Sequence, residues 1–90
     1  MAIDFRKYTN DEDKIALLEE IRDYLVNWQT YLYIKCGNHH IHVDPYGFES
    51  VTVDDGEREI KFKTVDDFFL NFIIDGKPLI ERIDELEYDF

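Results

Sequence analysis

At 90 residues, with 44% apolar and 16% aromatic side chains, the chain has the size and composition of one folded domain, not of two cores or a disordered segment. Twenty-one acids against ten bases give a formal charge of −11, which argues against direct binding to nucleic acid or anionic lipid, surfaces met with Lys and Arg. No apolar run approaches the roughly 18–20 residues that span a bilayer, and a single cysteine, Cys36, excludes an internal disulfide.

The opening residues, Met1-Ala2-Ile3-Asp4-Phe5, lack the basic region and apolar stretch of a signal peptide. With the cysteine usage, this sets the expectation of a cytoplasmic protein. Ile3 and Phe5 hint at a short strand. Thr9-Asn10-Asp11-Glu12 reads as a capping box, Thr9 accepting from the Glu12 amide while Glu12 reaches back. Ile15, Leu18, Ile21, Leu25 and Trp28 then recur at three- and four-residue spacing, widened by Leu17 and Tyr24, so the spacing predicts an amphipathic helix ending near Asn27. Glu12, Glu19, Glu20 and Asp23 fall largely on its other side.

The period changes to two after Thr30. Thr30–Cys36 and His39–Asp44 flank Gly37-Asn38, a loop suited to positive φ, and a tight hairpin there pairs Cys36 with His39, Ile34 with Ile41 and Leu32 with Val43. The opposite face then pairs Lys35 with His40, Tyr33 with His42 and Tyr31 with Asp44; a one-residue slip would mix the two sets. Asp44-Pro45-Tyr46-Gly47 supplies the next turn. A second hairpin turning at Asp55-Gly56 pairs Val53 with Arg58, Val51 with Ile60 and Glu49 with Phe62, leaving Ser50, Thr52, Glu59 and Lys61 outside.

Thr64-Val65-Asp66-Asp67 marks a second helix start, followed by the stripe Val65, Phe68, Phe69 and Phe72. Asp75-Gly76 breaks that helix, and Pro78 suits the first position of a short third one carrying Leu79, Ile80 and Ile83. The tail Glu85-Leu86-Glu87-Tyr88-Asp89-Phe90 alternates as an added strand would. The fold expected is a single α+β domain over residues 1–90, order α-β-β-β-β-α-α. A four-stranded antiparallel sheet of two consecutive hairpins is covered on one face by the N-terminal helix and one or two C-terminal helices, with a short C-terminal strand as an addition.

Chemistry-bearing patterns are few. His40, His42 and Asp44 share a strand face and are a ligand set known for zinc or non-haem iron, yet alternate strand residues stand about 6.5–7 Å apart, which strains a shell of bonds near 2 Å. Metal binding there is an alternative reading. Cys36 with His39 could pair a nucleophile and a base, but both sit at the end of the apolar face and no oxyanion signal accompanies them. Ser50, the only serine, lacks a GxSxG elbow, and no P-loop or GxGxxG occurs. The expectation is therefore a non-enzyme without cofactor.

Acid is unevenly spread: residues 10–28 sum to −4, residues 64–90 to −6 and residues 29–53 to only −1. Two acidic helical segments thus flank a nearly neutral middle holding Tyr31, Tyr33, Lys35, His40, His42 and Asp44. Large rings with polar tips are favoured interface material. Bases could stack on them as on RNA-binding sheets, but Lys35 alone is a poor phosphate counter-charge. Glu12 and Asp23, eleven residues apart, span about 16 Å of helix with Glu19 and Glu20 between, a carboxylate strip that could occupy a basic groove; a solvated helix face is its structural explanation. In overall character (small, acidic, without a catalytic motif) the chain resembles inhibitor or immunity proteins of phage and mobile elements, though no motif carries that likeness. The reading is a protein-binding module, of inhibitor, immunity or regulatory type, that masks a basic surface of a partner, a nucleic-acid-binding surface being one option, using Tyr31, Tyr33, Lys35, His40 and His42 for contact and Glu12, Glu19, Glu20 and Asp23 for guidance. A homodimer or other homo-oligomer whose wet sheet face or terminal strand pairs with its twin is the other alternative.

Overall fold

The computed structural model describes residues 4–47 and 49–89. The expected N-terminal helix forms as α1, Glu12–Val26, burying Ile15, Leu18, Ile21 and Leu25. Its cap differs from the capping box. Asp11 is the N-cap and accepts from the Asp13 amide at 3.0 Å, while Thr9 accepts from the Asp11 amide at 3.1 Å and Glu12 turns to Arg6. A carboxylate one residue before the helix satisfies an orphan amide with a full charge near the positive helix end, and that displaces the hydroxyl cap. Trp28 is not part of the buried stripe. Because α1 stops at Val26, Trp28 lies off the helical spacing, 69% exposed, with its indole N–H donating to Asp23.

The first hairpin has the predicted register. Strand β1, Leu32–Cys36, and strand β2, His39–Pro45, pair from Leu32 with Val43 to Cys36 with His39. Gly37 takes φ +60°, a backbone conformation that calls for glycine, and a Cβ there would also crowd a Glu85 carboxylate oxygen at 3.1 Å. Tyr31, expected opposite Asp44, stands one residue before β1.

The second hairpin keeps its faces but shifts its register by two. Strand β3, Val51–Asp54, and strand β4, Glu59–Phe62, pair Val53 with Ile60 and Val51 with Phe62. The turn centres on Gly56-Glu57 instead of Asp55-Gly56. Asp55 explains the move: its Oδ1 accepts from the Glu57 and Arg58 amides at 3.0 and 2.9 Å, its Oδ2 accepts from Arg58 Nε at 3.0 Å, and Gly56 takes φ +93°. Arg58 and Glu49 therefore leave the apolar face, and Arg58 reaches the Ile73 carbonyl over the Phe72 ring. A shift by an even number leaves the side chains that remain in the two strands on their expected sides.

The Glu57 amide first, then the Arg58 guanidinium and amide, hold the Asp55 carboxyl below its ordinary value. A depressed folded-state pKa stabilises fully above the unfolded value and is lost as pH falls through the folded one. Asp55→Asn is thus expected to flatten the decline of the urea midpoint below about pH 4, and identical acid limbs for the two proteins would refute the assignment.

Helix α2, Val65–Asn71, starts as expected, Thr64 accepting from the Asp67 amide at 3.0 Å, and buries Val65, Phe68 and Phe69. Asp75-Gly76 does more than break it. With φ of +50° and +86°, the two residues turn a short hairpin between β5, Ile73–Ile74, and β6, Lys77–Pro78, matching the two positive φ values of a tight type I′ turn. The expected third helix is a 3₁₀ segment, Leu79–Glu85, kinked at Arg82 and preceded by Pro78. It still buries Leu79, Ile80 and Ile83. Arg82 ties it to the hairpin by donating to the Ile74 carbonyl at 3.1 Å.

The tail forms β7, Leu86–Asp89, antiparallel to β1, so the sheet has five strands in the order β4-β3-β2-β1-β7 instead of four. Phe5 belongs not to a strand but to a 3₁₀ turn, Phe5–Lys7, and its ring meets the Phe69 edge at 5.8 Å; Ile3 lies outside the described residues. The helices and the 3₁₀ segment cover one sheet face with a continuous apolar core. Among the described residues, no polar or charged side chain is buried and no helix is long and apolar enough to cross a membrane.

Candidate functional site

The β1–β2 register sends alternate side chains to opposite faces. Leu32, Ile34, Cys36, Ile41 and Val43 enter the core, whereas Tyr33, Lys35, His40, His42 and Asp44 stand exposed on the uncovered face. Tyr31 joins them from just outside β1, for its ring centroid is 6.0 Å from that of His42. His42 in turn meets Tyr33 edge-on at 3.9 Å. Tyr31 and Tyr33 retain 48% and 42% of their accessible surface, so the predicted aromatic and imidazole contact residues form one open patch.

The neighbouring strands frame this patch with charge. Antiparallel pairing of β7 puts Glu87 beside Lys35 and Asp89 beside Tyr33. On the other side, β3 puts Asp54 beside His42 and Thr52 beside Asp44, and β4 adds Glu59 and Lys61. Lys61 lies over the Tyr46 ring at 5.5 Å. Sequence reasoning missed Glu87, Asp89, Asp54 and Glu59 as members of the site. The alternation Leu86-Glu87-Tyr88-Asp89 marks two acids on one face of a strand, but which neighbour that strand takes is a long-range fact. Two cavities of about 410 and 310 Å³ open here. Tyr33 and His40 line both; the larger lies toward β7 and the smaller toward Asp54.

The four acids expected to guide a partner lie elsewhere. Glu12, Glu19, Glu20 and Asp23 are on α1, which covers the opposite sheet face. Glu12 pairs with Arg6 at 3.2 Å, and Asp23 accepts from Asn27 and Trp28 at the helix end. Glu20 accepts from the Tyr88 hydroxyl, whose pKa is raised by burial first and by the Glu20 carboxylate second. Glu19 is exposed. The aromatic patch and the helical acids are therefore two surfaces and not one.

Catalytic geometry is not assembled around Cys36. The thiol is buried beside Arg82, and burial pushes its pKa up against the lowering influence of that guanidinium. Its cross-strand neighbour His39 is turned to Asp75, with Nε2 to Oδ2 at 3.1 Å. Among the described residues no group of three or more His, Cys, Asp or Glu side chains is arranged to hold a metal ion; His40, His42 and Asp44 share the face at alternate positions without converging. No protein-family model, curated protein or solved structure matches the chain.

Proposed function

We propose that the chain is a protein-binding module whose uncovered sheet face docks on a basic surface of a partner protein and masks it. The observation that supports this reading is the exposed patch of Tyr31, Tyr33 and His42, with both tyrosine rings meeting the imidazole and carboxylates on both flanks. Tyrosine brings large contact area at low entropic cost and is enriched among residues that dominate binding energy. Surrounding acids favour encounter with positive charge and discourage negative partners.

Guidance is assigned to Glu87, Asp89, Asp54 and Asp44 in place of the α1 acids. The molecule is 22 Å through its shortest dimension, and charges beyond about 8 Å are largely screened at physiological ionic strength. Glu87→Lys is accordingly expected to slow association with the partner several-fold more than Glu19→Lys. Stopped-flow association at two salt concentrations reads this difference, and equal effects would remove the guidance assignment.

The contact assignment is tested by immobilising the native chain and a Tyr33→Ala/His42→Ala double variant and comparing what each captures from the source cell. A partner retained by the native chain, released by salt and held at least about tenfold more weakly by the variant (about 1.4 kcal/mol) agrees with the reading. A salt-sensitive partner held equally by both refutes it. Both changed residues are exposed, so the variant's thermal unfolding should stay close to that of the native chain.

A further inference from the structure

Resting on that docking reading, we infer that the larger cavity of the open face is a receptor for the guanidinium of an arginine side chain presented by the partner. The cavity, about 410 Å³, lies where β7 joins β1 and is walled by Tyr33, Lys35, His40, Glu87 and Asp89. Its volume is at the small end of ligand sites, roughly 300–1,000 Å³, which suits one long side chain better than a folded surface.

Glu87, Asp89 and Tyr33 each have a reason to select arginine. Glu87 and Asp89 both project to this side because they alternate with core-facing Leu86 and Tyr88 on β7. They offer carboxylates that a planar, forked cation engages in paired hydrogen bonds. Tyr33 supplies an aromatic wall, and a guanidinium stacks on such rings better than an ammonium does. The ring is already braced: His42 meets it at 3.9 Å and does not line this cavity, so the wall is set before a partner arrives. Two carboxylate residues, Glu87 and Asp89, stand in this lining against one ammonium, Lys35.

Lys35 gives the inference its sharpest consequence. It is the ladder neighbour of Glu87, so it competes with an incoming cation for that carboxylate and repels it directly. Removing Lys35 should tighten an arginine ligand, while removing Glu87 should weaken it. A site for an anion would respond in the opposite sense to both changes.

The experiment titrates ¹⁵N-labelled full chain with a short peptide of alternating arginine and threonine, and with the same peptide carrying citrulline, the neutral isostere, at each arginine. The arginine peptide should shift the amides of Tyr33, Lys35, His40 and Glu87 and bind at least about tenfold more tightly than the citrulline peptide. Glu87→Gln should weaken it several-fold and Lys35→Gln should tighten it several-fold. Equal binding of both peptides, shifts centred on Glu12 and Glu19 of α1, or tightening by Glu87→Gln overturns the inference. So does a dimer at high concentration that Tyr33→Ala dissolves, which would give the face to a second copy. If the peptide ignores both substitutions while the Tyr33/His42 variant still loses its captured partner, the arginine pocket falls and the docking face stands; if that variant keeps its partner, the face itself falls.

Discussion

Phe68→Ala is expected to lower the unfolding free energy by about 3–5 kcal/mol, the range for truncating a fully enclosed aromatic ring. Phe68 has no accessible surface and is the hub of a ring cluster, 5.8 Å from Phe62, 5.6 Å from Phe69 and 5.7 Å from Phe72. Those partners come from β4, α2 and the residue that ends α2, so the cavity left by alanine opens where the sheet meets its cover. Each partner also loses an aromatic contact worth about 0.5–1.5 kcal/mol beyond its area. A domain of this size has total stability on the order of 5–15 kcal/mol, and the variant should be marginal at 37 °C. Urea unfolding followed by circular dichroism measures the change. Phe68→Leu, which keeps most of the volume, should recover more than half of it. A loss under about 1 kcal/mol for the alanine variant would mean the cluster collapses into the space and is not the anchor of the cover.

Arg22→Ala is expected to cost about 2–3 kcal/mol, between the small worth of exposed ion pairs and the 3–5 kcal/mol of breaking a buried one. Arg22 Nη2 and Nε both donate to Asp66 Oδ1, at 2.6 and 3.1 Å, with side-chain exposures of only 24% and 19% for the two residues. The guanidinium also lies over the Phe5 ring at 4.5 Å. One planar cation thus ties α1 to the first turn of α2 and to the N-terminal 3₁₀ turn. Alanine leaves the Asp66 carboxylate half-buried without that cation, although the α2 N-terminus still favours its charge. Arg22→Lys preserves the charge and loses the fork and the flat stacking surface, so it should recover less than half of the loss. A double-mutant cycle with Asp66→Ala isolates the pair, and a coupling of about 1–2 kcal/mol is expected. Coupling below about 0.3 kcal/mol would reduce Arg22 to a packing side chain.

Both expectations concern contacts between elements far apart along the chain, and that is where local reading gives way. Asp66, in the first turn of α2, was legible as part of a helix-start signal, since carboxylates favour the positive end of a helix. Its pairing with a residue 44 positions earlier was not. The same division runs through the candidate site. Tyr33, Lys35, His40 and His42 were assignable to one face because a two-residue turn at Gly37-Asn38 leaves a single register that sorts apolar from polar side chains. Glu87 and Asp89 could be given a shared face by alternation, but not a place in the patch.

What the amino-acid order determined by itself rests on short-range periodicity and turn chemistry: α1 with Ile15, Leu18, Ile21 and Leu25 inward, the first hairpin with its register, the Thr64 cap and the two-faced character of the strands. These depend on dihedral preferences and on side-chain spacing within a few residues. The tertiary structure decided the rest. It brought the tail back to β1, making a fifth strand and an acidic border for the tyrosines. It also put the acids of α1 on the side of the sheet away from the aromatic patch. Those outcomes follow from which buried surfaces can be covered at once, a condition on the whole chain that no window of neighbouring residues contains.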